Sequence, residues 1–164
     1  MSGQARRRQR SVIAQRPTRA GDEHSASDRH PVLGTWEVRA DGAPFGYHVM
    51  QFHPGGTMLQ SNPDHGNRAT SDSNGMGTWH GAGNRVTGAF LEFTVDRTDP
   101  AVVRKGIVAF ELDVTGDDFT GRATATFYEL SGEPVGAPAT ARLAGRRFDG
   151  VAAHRNTLDL SRTV

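Results

Sequence analysis

The chain has 164 residues, of which 35% are hydrophobic and 20 are glycine, and its formal net charge is +1. This composition is typical of one turn-rich β domain, and the small charge excludes a general attraction to nucleic acid or to an anionic membrane. Because the sequence contains no cysteine, disulfides, thiolate nucleophiles and cysteine-ligated metal centres are excluded. No apolar run approaches the roughly 20 residues of a membrane-spanning helix.

The first 30 residues differ in character from the rest. Six arginines precede the first acidic residue: Arg6, Arg7, Arg8, Arg10, Arg16 and Arg19. A secretory signal needs an apolar segment of about 7–15 residues after its basic start, whereas only Val12–Ala14 is apolar here. We therefore interpret residues 1–30 as a disordered, solvated basic tail, and we expect the protein to be cytoplasmic.

From Pro31 onward, short alternating segments are separated by turn signals. The predicted strands are Val32–Arg39, Phe45–His53, Thr57–Ser61, Gly75–His80, Arg85–Val95, Val102–Val114, Phe119–Leu130 and Val135–Phe148. Eight strands joined by short turns, without helix-length segments between them, predict an all-β fold: an eight-stranded antiparallel up-and-down barrel over residues 31–148. A β-sandwich is the alternative, although it more often has longer crossovers.

Two further segments complete the predicted organisation. Asn62–Asn74 is rich in Asn, Asp, Ser and Gly, which favours a loop that forms a lid or rim at one end of the barrel. Residues 149–164 have weak helical character, and we expect a C-terminal tail with a short helix lying across the barrel wall.

The phrase Gly-Thr-Trp occurs twice, ending at Trp36 and at Trp79. A Trp beside Gly on a strand suits the floor of a small barrel, where the ring fills the base and the Gly allows another backbone to approach closely. In the alternative interpretation, the indoles lie in the wall of a cavity and present a flat face and an N–H to a ligand. A barrel with a filled floor and an open mouth holds small molecules.

The predicted strand Phe119–Leu130 has two distinct faces. Its polar row alternates with the row Phe119, Gly121, Ala123, Ala125 and Phe127, which we expect to face inward. The small residues between the two Phe rings leave interior volume that a ligand could fill. In the alternative, larger residues from the opposite wall fill it.

The motifs Leu33–Trp36, Phe52–Thr57, Gly75–Trp79 and Phe119–Tyr128 follow one another in the order found in a known family. In the order of these motifs, the chain resembles the bacterial lipocalin-like small barrels of the calycin group. The resemblance implies a barrel that binds small molecules, but the family includes carriers, haem proteins and enzymes. Some barrels of related shape in biosynthesis look like cyclases that fold a flexible polyketide and promote ring closure.

Candidate catalytic residues are polar side chains on rows that could face inward. Glu92 shares a row with Phe90, and a carboxyl inside an apolar barrel would have a raised pKa; in the alternative it is a solvated residue of the outer wall. Arg104 begins an apolar row and could pair with Glu92 or orient a ligand carbonyl. On the second strand either the row of Tyr47 or the row of His48 faces inward, so both are candidates.

The predicted substrate-binding residues are aromatic rings and flexible thioethers, which suit an irregular apolar ligand. They are Trp36, Met50, Phe52, Met58, Trp79, Phe90, Phe110 and Phe127. The histidines show no metal-ligand spacing, and we predict neither a metal nor a cofactor. Haem held by one His stays as an alternative, because haem-binding barrels share the Gly-Thr-Trp phrase.

These observations predict a cofactor-independent cyclase or isomerase of natural-product biosynthesis. It would bind a flexible, apolar, polyketide-like intermediate in the barrel and promote ring closure by holding it in a reactive conformation. The alternative is a non-catalytic carrier or sensor of an apolar small molecule. We expect no membrane and no specific nucleic-acid partner, and apolar barrel walls would allow a homodimer.

Overall fold

A computed structural model describes residues 28–63 and 67–153. Nine strands form a single antiparallel sheet in this part of the chain. They are β1 (Gly34–Asp41), β2 (Tyr47–Phe52), β3 (Thr57–Ser61), β4 (Thr70–Asp72), β5 (Gly75–Ala82), β6 (Arg85–Asp96), β7 (Val103–Thr115), β8 (Asp118–Glu129) and β9 (Pro134–Arg147). A 3₁₀ turn, Pro54–Gly56, connects β2 to β3.

The sheet closes on itself, because β6 pairs with β7 along almost their whole length. Around the ring the order is β6, β5, β3, β2, β1, β9, β8, β7. The short strand β4 pairs with Thr94–Asp96 of β6, beyond the part that pairs with β5, so β4 and β5 share one position in the wall. The predicted eight-stranded antiparallel barrel is therefore confirmed, and the sandwich alternative is wrong.

Two details differ from the sequence-based expectation, and a third agrees with it. Part of the predicted loop Asn62–Asn74 forms β4, whose sequence Thr-Ser-Asp carries no hydrophobic alternation that would reveal a strand. His30, assigned to the basic tail, is only 7% exposed and packs on Trp79 with ring centroids 5.5 Å apart. At the other end of the chain, residues 150–153 form one helical turn. The remainder of both predicted tails, 1–27 and 154–164, lies outside the described residues.

Large buried side chains fill one end of the barrel, which we call the closed end. Trp36 is fully buried, its ring centroid lies 5.0 Å from that of Phe119, and its Nε1 donates to the carbonyl of Val32 at 2.7 Å. The Trp79 Nε1 donates to the carbonyls of His53 and Thr57 at 3.2 and 3.0 Å. Both indole N–H groups are thus satisfied by the backbone, as buried donors require.

The glycine of the second Gly-Thr-Trp phrase permits the close packing of β5 on β6. A Cβ at Gly77 would lie 2.0 Å from the carbonyl oxygen of Ala89 and 2.6 Å from the Cα of Phe90. No side chain can be accommodated at these distances, so glycine is required by a close backbone approach. In the part of the chain that the structure describes, the opposite end of the barrel contains a cavity.

Candidate functional site

A cavity of about 400 Å³ opens at the end of the barrel away from the two tryptophans. Its mouth is bounded by the β1–β2 hairpin (residues 42–45), by polar residues between 62 and 72, and by the first half of β9. The predicted polar segment Asn62–Asn74 therefore does contribute to the rim. The volume falls within the range of about 300–1,000 Å³ that small-molecule sites usually have.

Most of the cavity wall is apolar. Met50, Phe90, Val108, Phe127 and Leu143 contribute large side chains, and Ala123, Ala125, Ala139 and Ala141 contribute small ones from β8 and β9. The row of the predicted strand Phe119–Leu130 that was expected to face inward does so on β8. Its two alanines border empty volume, since no larger residue of the described chain fills the space opposite them. Small side chains on two adjacent strands are the reason that the cavity exists.

Glu92 brings a carboxyl group into this apolar cavity. It lies on β6 two residues after Phe90, points inward and is 8% exposed. Burial raises the pKa of Glu92 to about 7, and the negative charge of Asp72 acts in the same direction. Across the ladder Glu92 is opposite Gly106, where a Cβ would lie 3.0 Å from the Glu92 Cγ. The glycine thus leaves room for the inward carboxyl.

No hydrogen bond to the Glu92 carboxyl is formed within residues 28–63 and 67–153. A buried carboxyl without a protein partner favours its neutral form, in which it offers one O–H donor and one carbonyl acceptor. Both are available to a molecule in the cavity. This combination of burial, raised pKa and unused hydrogen-bonding capacity is typical of functional acids.

Arg104 lines the mouth of the same cavity but does not pair with Glu92. Its Nε lies 3.3 Å from Oε1 of Glu129, its direct neighbour across the β7–β8 ladder. The predicted Arg104–Glu92 pair is therefore absent, because Arg104 is opposite Thr94 on β6, one step nearer the mouth than Glu92. Arg104 is a charge at the entrance, and Glu92 lies deeper.

His48 is another titratable group of the cavity wall. Its Nε2 lies 3.1 Å from the carbonyl oxygen of Phe45, and its Nδ1 lies 2.7 Å from Nε2 of Gln60. Since burial lowers the pKa of His48, the ring is neutral at pH 7, and one nitrogen carries a proton. The carbonyl can only accept, so Nε2 donates to it, and Nδ1 accepts from the Gln60 amide. The His48–Gln60 hydrogen bond fixes the orientation of the Gln60 amide. It leaves the buried Oε1 of Gln60 without a partner in the described part of the chain.

The structure settles the orientation of β2, which the sequence left open. Met50 and Phe52 are each 2% exposed, whereas Tyr47 is 61% exposed on the outer wall. The predicted catalytic role of Tyr47 is therefore wrong as far as this cavity is concerned, because its hydroxyl lies on the other side of the sheet. His48, Glu92 and Arg104 are the candidate polar residues that do line the cavity.

The predicted substrate-binding residues divide into two groups. Met50, Phe90 and Phe127 line the cavity. The others are packed in the closed end or beneath the cavity, with no part of the cavity wall: Trp36, Phe52, Met58, Trp79 and Phe110. The prediction for these five is corrected for one physical reason. Large rings near the barrel base pack against each other, so they fill the space that they would otherwise border.

Several polar lining residues were not singled out by the sequence-based reasoning. Gln60, Thr94 and Asp72 contribute to the wall, and Gln60 is only 1% exposed. Gln60 could have been found, since it shares its row on β3 with the inward Met58. Thr94 likewise shares the row of Phe90. Asp72 belongs to β4, whose strand conformation gives no sequence signal.

The fold is thus an eight-stranded antiparallel β-barrel of lipocalin-like shape, and it encloses a largely apolar cavity that contains a buried carboxyl. No family model, no curated protein and no solved structure matches this chain. Among the described residues, no group of three or more His, Asp or Glu side chains could hold a metal ion. None of the helical residues described forms a helix long and apolar enough to cross a membrane.

Proposed function

We propose that this protein is a lipocalin-like cyclase that binds a small, flexible, largely apolar molecule in the barrel and promotes its ring closure by acid catalysis. The observation that carries the proposal is the Glu92 carboxyl. It is buried in an apolar cavity, its pKa is raised to about 7, and no protein group among the described residues uses its hydrogen-bonding capacity. A site that only enclosed an apolar ligand would have no need of this costly group.

The size and the wall of the cavity support an apolar substrate of moderate size. A volume of about 400 Å³ corresponds to roughly 13 water molecules at about 30 Å³ each. The wall is mainly Met, Phe, Val, Leu and Ala, which favours an apolar ligand, and a long flexible chain would have to fold in order to fit this volume. Confinement in a folded conformation can lower the barrier to an intramolecular reaction by up to about 7–11 kcal/mol in the best cases.

Glu92 can supply the proton that such a reaction needs. In a conjugate ring closure, a hydroxyl oxygen of the substrate forms a bond to the β-carbon of an enone, and electron density moves to the carbonyl oxygen. Protonated Glu92 donates its proton to that oxygen, which gives an enol, and the Glu92 carboxylate then takes the proton of the attacking hydroxyl group. The enol releases its O–H proton to solvent and binds one proton from solvent at the α-carbon, so that the ketone forms and Glu92 is protonated as at the start. Substrate and product are isomers, so no co-reactant is required. A positioned acid contributes typically 10²–10⁴-fold to the rate.

The haem alternative has less support from the geometry. His48 is the histidine of the described chain that lines the cavity, and both of its ring nitrogens contact neighbours, the Phe45 carbonyl and the Gln60 amide. Axial ligation through His48 would break one of these hydrogen bonds. The carrier alternative differs from the cyclase only in leaving its ligand unchanged, and experiment separates the two.

The binding step can be tested with the neutral fluorophore 1-aminoanthracene, whose emission rises in apolar sites. We expect saturable enhancement by the wild-type protein. Ala125→Trp fills the cavity from β8 and should abolish the enhancement. Thr124→Trp, a matched control on the outward row of the same strand, should retain it. Equal binding by both variants would contradict ligand binding inside the barrel.

The chemical step can be tested with a straight-chain hydroxy-enone that cyclises slowly in buffer. We expect the wild-type protein to accelerate ring closure and Glu92→Gln to lose at least about tenfold of that acceleration. Glu129→Gln changes a carboxyl at the mouth and serves as control. Tight binding of the enone with unchanged recovery of it would favour the carrier. The assignment to the calycin group and to natural-product biosynthesis is part of the same proposal.

A further inference from the structure

The outer wall of the barrel carries an apolar patch that the ligand cavity does not explain. Leu59, Met76, Leu91 and Ile107 lie on four neighbouring strands, and each is the direct register partner of the next. They are 41%, 65%, 40% and 37% exposed. Phe93, two residues after Leu91 on the same face, is 43% exposed. We call these five residues the outer patch.

Most positions around the outer patch are uncharged, and Lys105, the direct register partner of Phe93 on β7, is a charged neighbour at its edge. The neighbouring outward positions on β3, β5 and β6 are Thr57, Ser61, Thr78 and Ala89. On the opposite wall, the outward positions of β1, β8 and β9 carry charges instead: Glu37, Arg39, Arg122 and Arg142. One side of the barrel is therefore built for water, whereas the other has the depletion of charge that marks the centre of a protein interface.

The area of the outer patch agrees with that of a stable dimer. If a large side chain is taken as about 200 Å², the five exposed fractions amount to roughly 450 Å² of apolar surface. Interfaces are about 60% apolar, so this area corresponds to roughly 750 Å² buried per partner. A standard interface buries about 800 Å² per partner. A membrane-binding surface would more often carry several basic residues around the apolar side chains. Here Lys105 adjoins the patch opposite Phe93, whereas Thr, Ser and Ala occupy the adjacent positions on β3, β5 and β6.

We propose that the outer patch is the interface of a symmetric homodimer of this chain. A two-fold axis between Met76 and Leu91 makes the row self-complementary. Met76 of one copy then faces Leu91 of the other, and Leu59 faces Ile107. Thr and Ser side chains around the patch form the rim of the interface. The cavity mouth is not part of this surface, so both cavities stay accessible in the dimer.

The first test is the molar mass in solution by light scattering after size-exclusion chromatography, over a range of protein concentrations. We expect the wild-type protein to reach twice the chain mass of 17.7 kDa. Met76→Glu should have the mass of one chain, with an unchanged circular dichroism spectrum. The control Leu130→Glu changes another exposed apolar residue, 63% exposed in the β8–β9 turn, and should remain dimeric. A wild-type protein with the mass of one chain at all concentrations would overturn the proposal, as would a dimer that Met76→Glu leaves intact.

The second test uses the absence of cysteine from the sequence. Leu59 and Ile107 are three strands apart, roughly 14 Å at about 4.8 Å per strand, too far for a disulfide within one chain. In the double variant Leu59→Cys/Ile107→Cys the two-fold arrangement predicts a disulfide-linked dimer under oxidising conditions, whereas each single variant should stay uncrosslinked. Failure of the double variant to crosslink would refute this arrangement. A wild-type monomer that sediments with phosphatidylcholine vesicles would instead assign the patch to a lipid surface.

Discussion

The buried carboxyl of Glu92 makes the stability of the barrel depend on pH, and Glu92→Gln isolates this effect. In the folded protein the pKa of Glu92 is about 7 instead of the ordinary 4.5. Between these two values the folded chain holds a proton that the unfolded chain has released, so the free energy of unfolding falls as the pH rises. Gln has the same shape as neutral Glu but cannot ionise.

The size of the effect follows from the change in pKa. A tenfold change in an acid dissociation constant corresponds to about 1.4 kcal/mol, so the rise from 4.5 to about 7 corresponds to about 3 kcal/mol. We expect Glu92→Gln to match the wild-type stability below pH 4.5. Above pH 7 the variant should be more stable than the wild type by about 3 kcal/mol. The difference should develop between these limits.

Urea unfolding of both proteins at a series of pH values, followed by tryptophan fluorescence, measures this difference directly. Glu111→Gln is a control of opposite sign. Hydrogen bonding to Arg85 and the charge of Arg122 lower the pKa of Glu111 on the outer wall, so its stabilising contribution is present at neutral pH and is lost on acidification. A constant difference between wild type and Glu92→Gln across the series would refute the assignment of Glu92 as a buried neutral carboxyl.

Three further predictions concern the cavity and its support. The affinity for 1-aminoanthracene should fall as the pH rises through about 7, because ionised Glu92 places a charge beside an apolar ligand. Glu92→Gln should remove this pH dependence of the affinity. A parallel decline of the affinity in the variant would contradict the prediction. Gly77→Ala should lower the free energy of unfolding by about 3 kcal/mol through its clash with β6, whereas Gly46→Ala, with open space around it, should be nearly neutral in urea titrations. Trp79→Ala should cost about 3–5 kcal/mol of stability while the folded fraction still binds the fluorophore with wild-type affinity; a large loss of affinity would place the indole at the ligand.

The sequence predicted the barrel well, because strand alternation and turn residues are local signals. It could not decide the orientation of Glu92, since the outward row of β6 is also hydrophobic: Leu91 and Phe93 are 40% and 43% exposed. Both faces of that strand are apolar, one toward the cavity and one in the outer patch. Alternation carries no information about direction when both faces are apolar.

The orientation of β2 was ambiguous for a different reason. The predicted second strand begins at Phe45, whereas the observed strand begins at Tyr47. Phe45 belongs to the preceding turn and contacts His48, with ring centroids 6.3 Å apart. A residue outside the regular strand does not follow its alternation, and strand ends are the least reliable part of such a prediction. Whether an aromatic ring packs in the closed end or lines the cavity also depends on the whole barrel, and no local sequence pattern encodes this difference.

The way in which the chain enters and leaves the barrel has a practical consequence. Asp28 accepts a hydrogen bond from the Gly55 amide, and Phe148 donates its amide to the Thr35 carbonyl, so both ends of the described chain emerge at the pole opposite the mouth. An affinity handle or a fluorescent protein joined directly to residue 28, in place of the preceding segment, would be attached far from the entrance. Immobilisation through such a handle should orient every molecule with its opening toward the bulk solution, which suits ligand screening on a sensor surface.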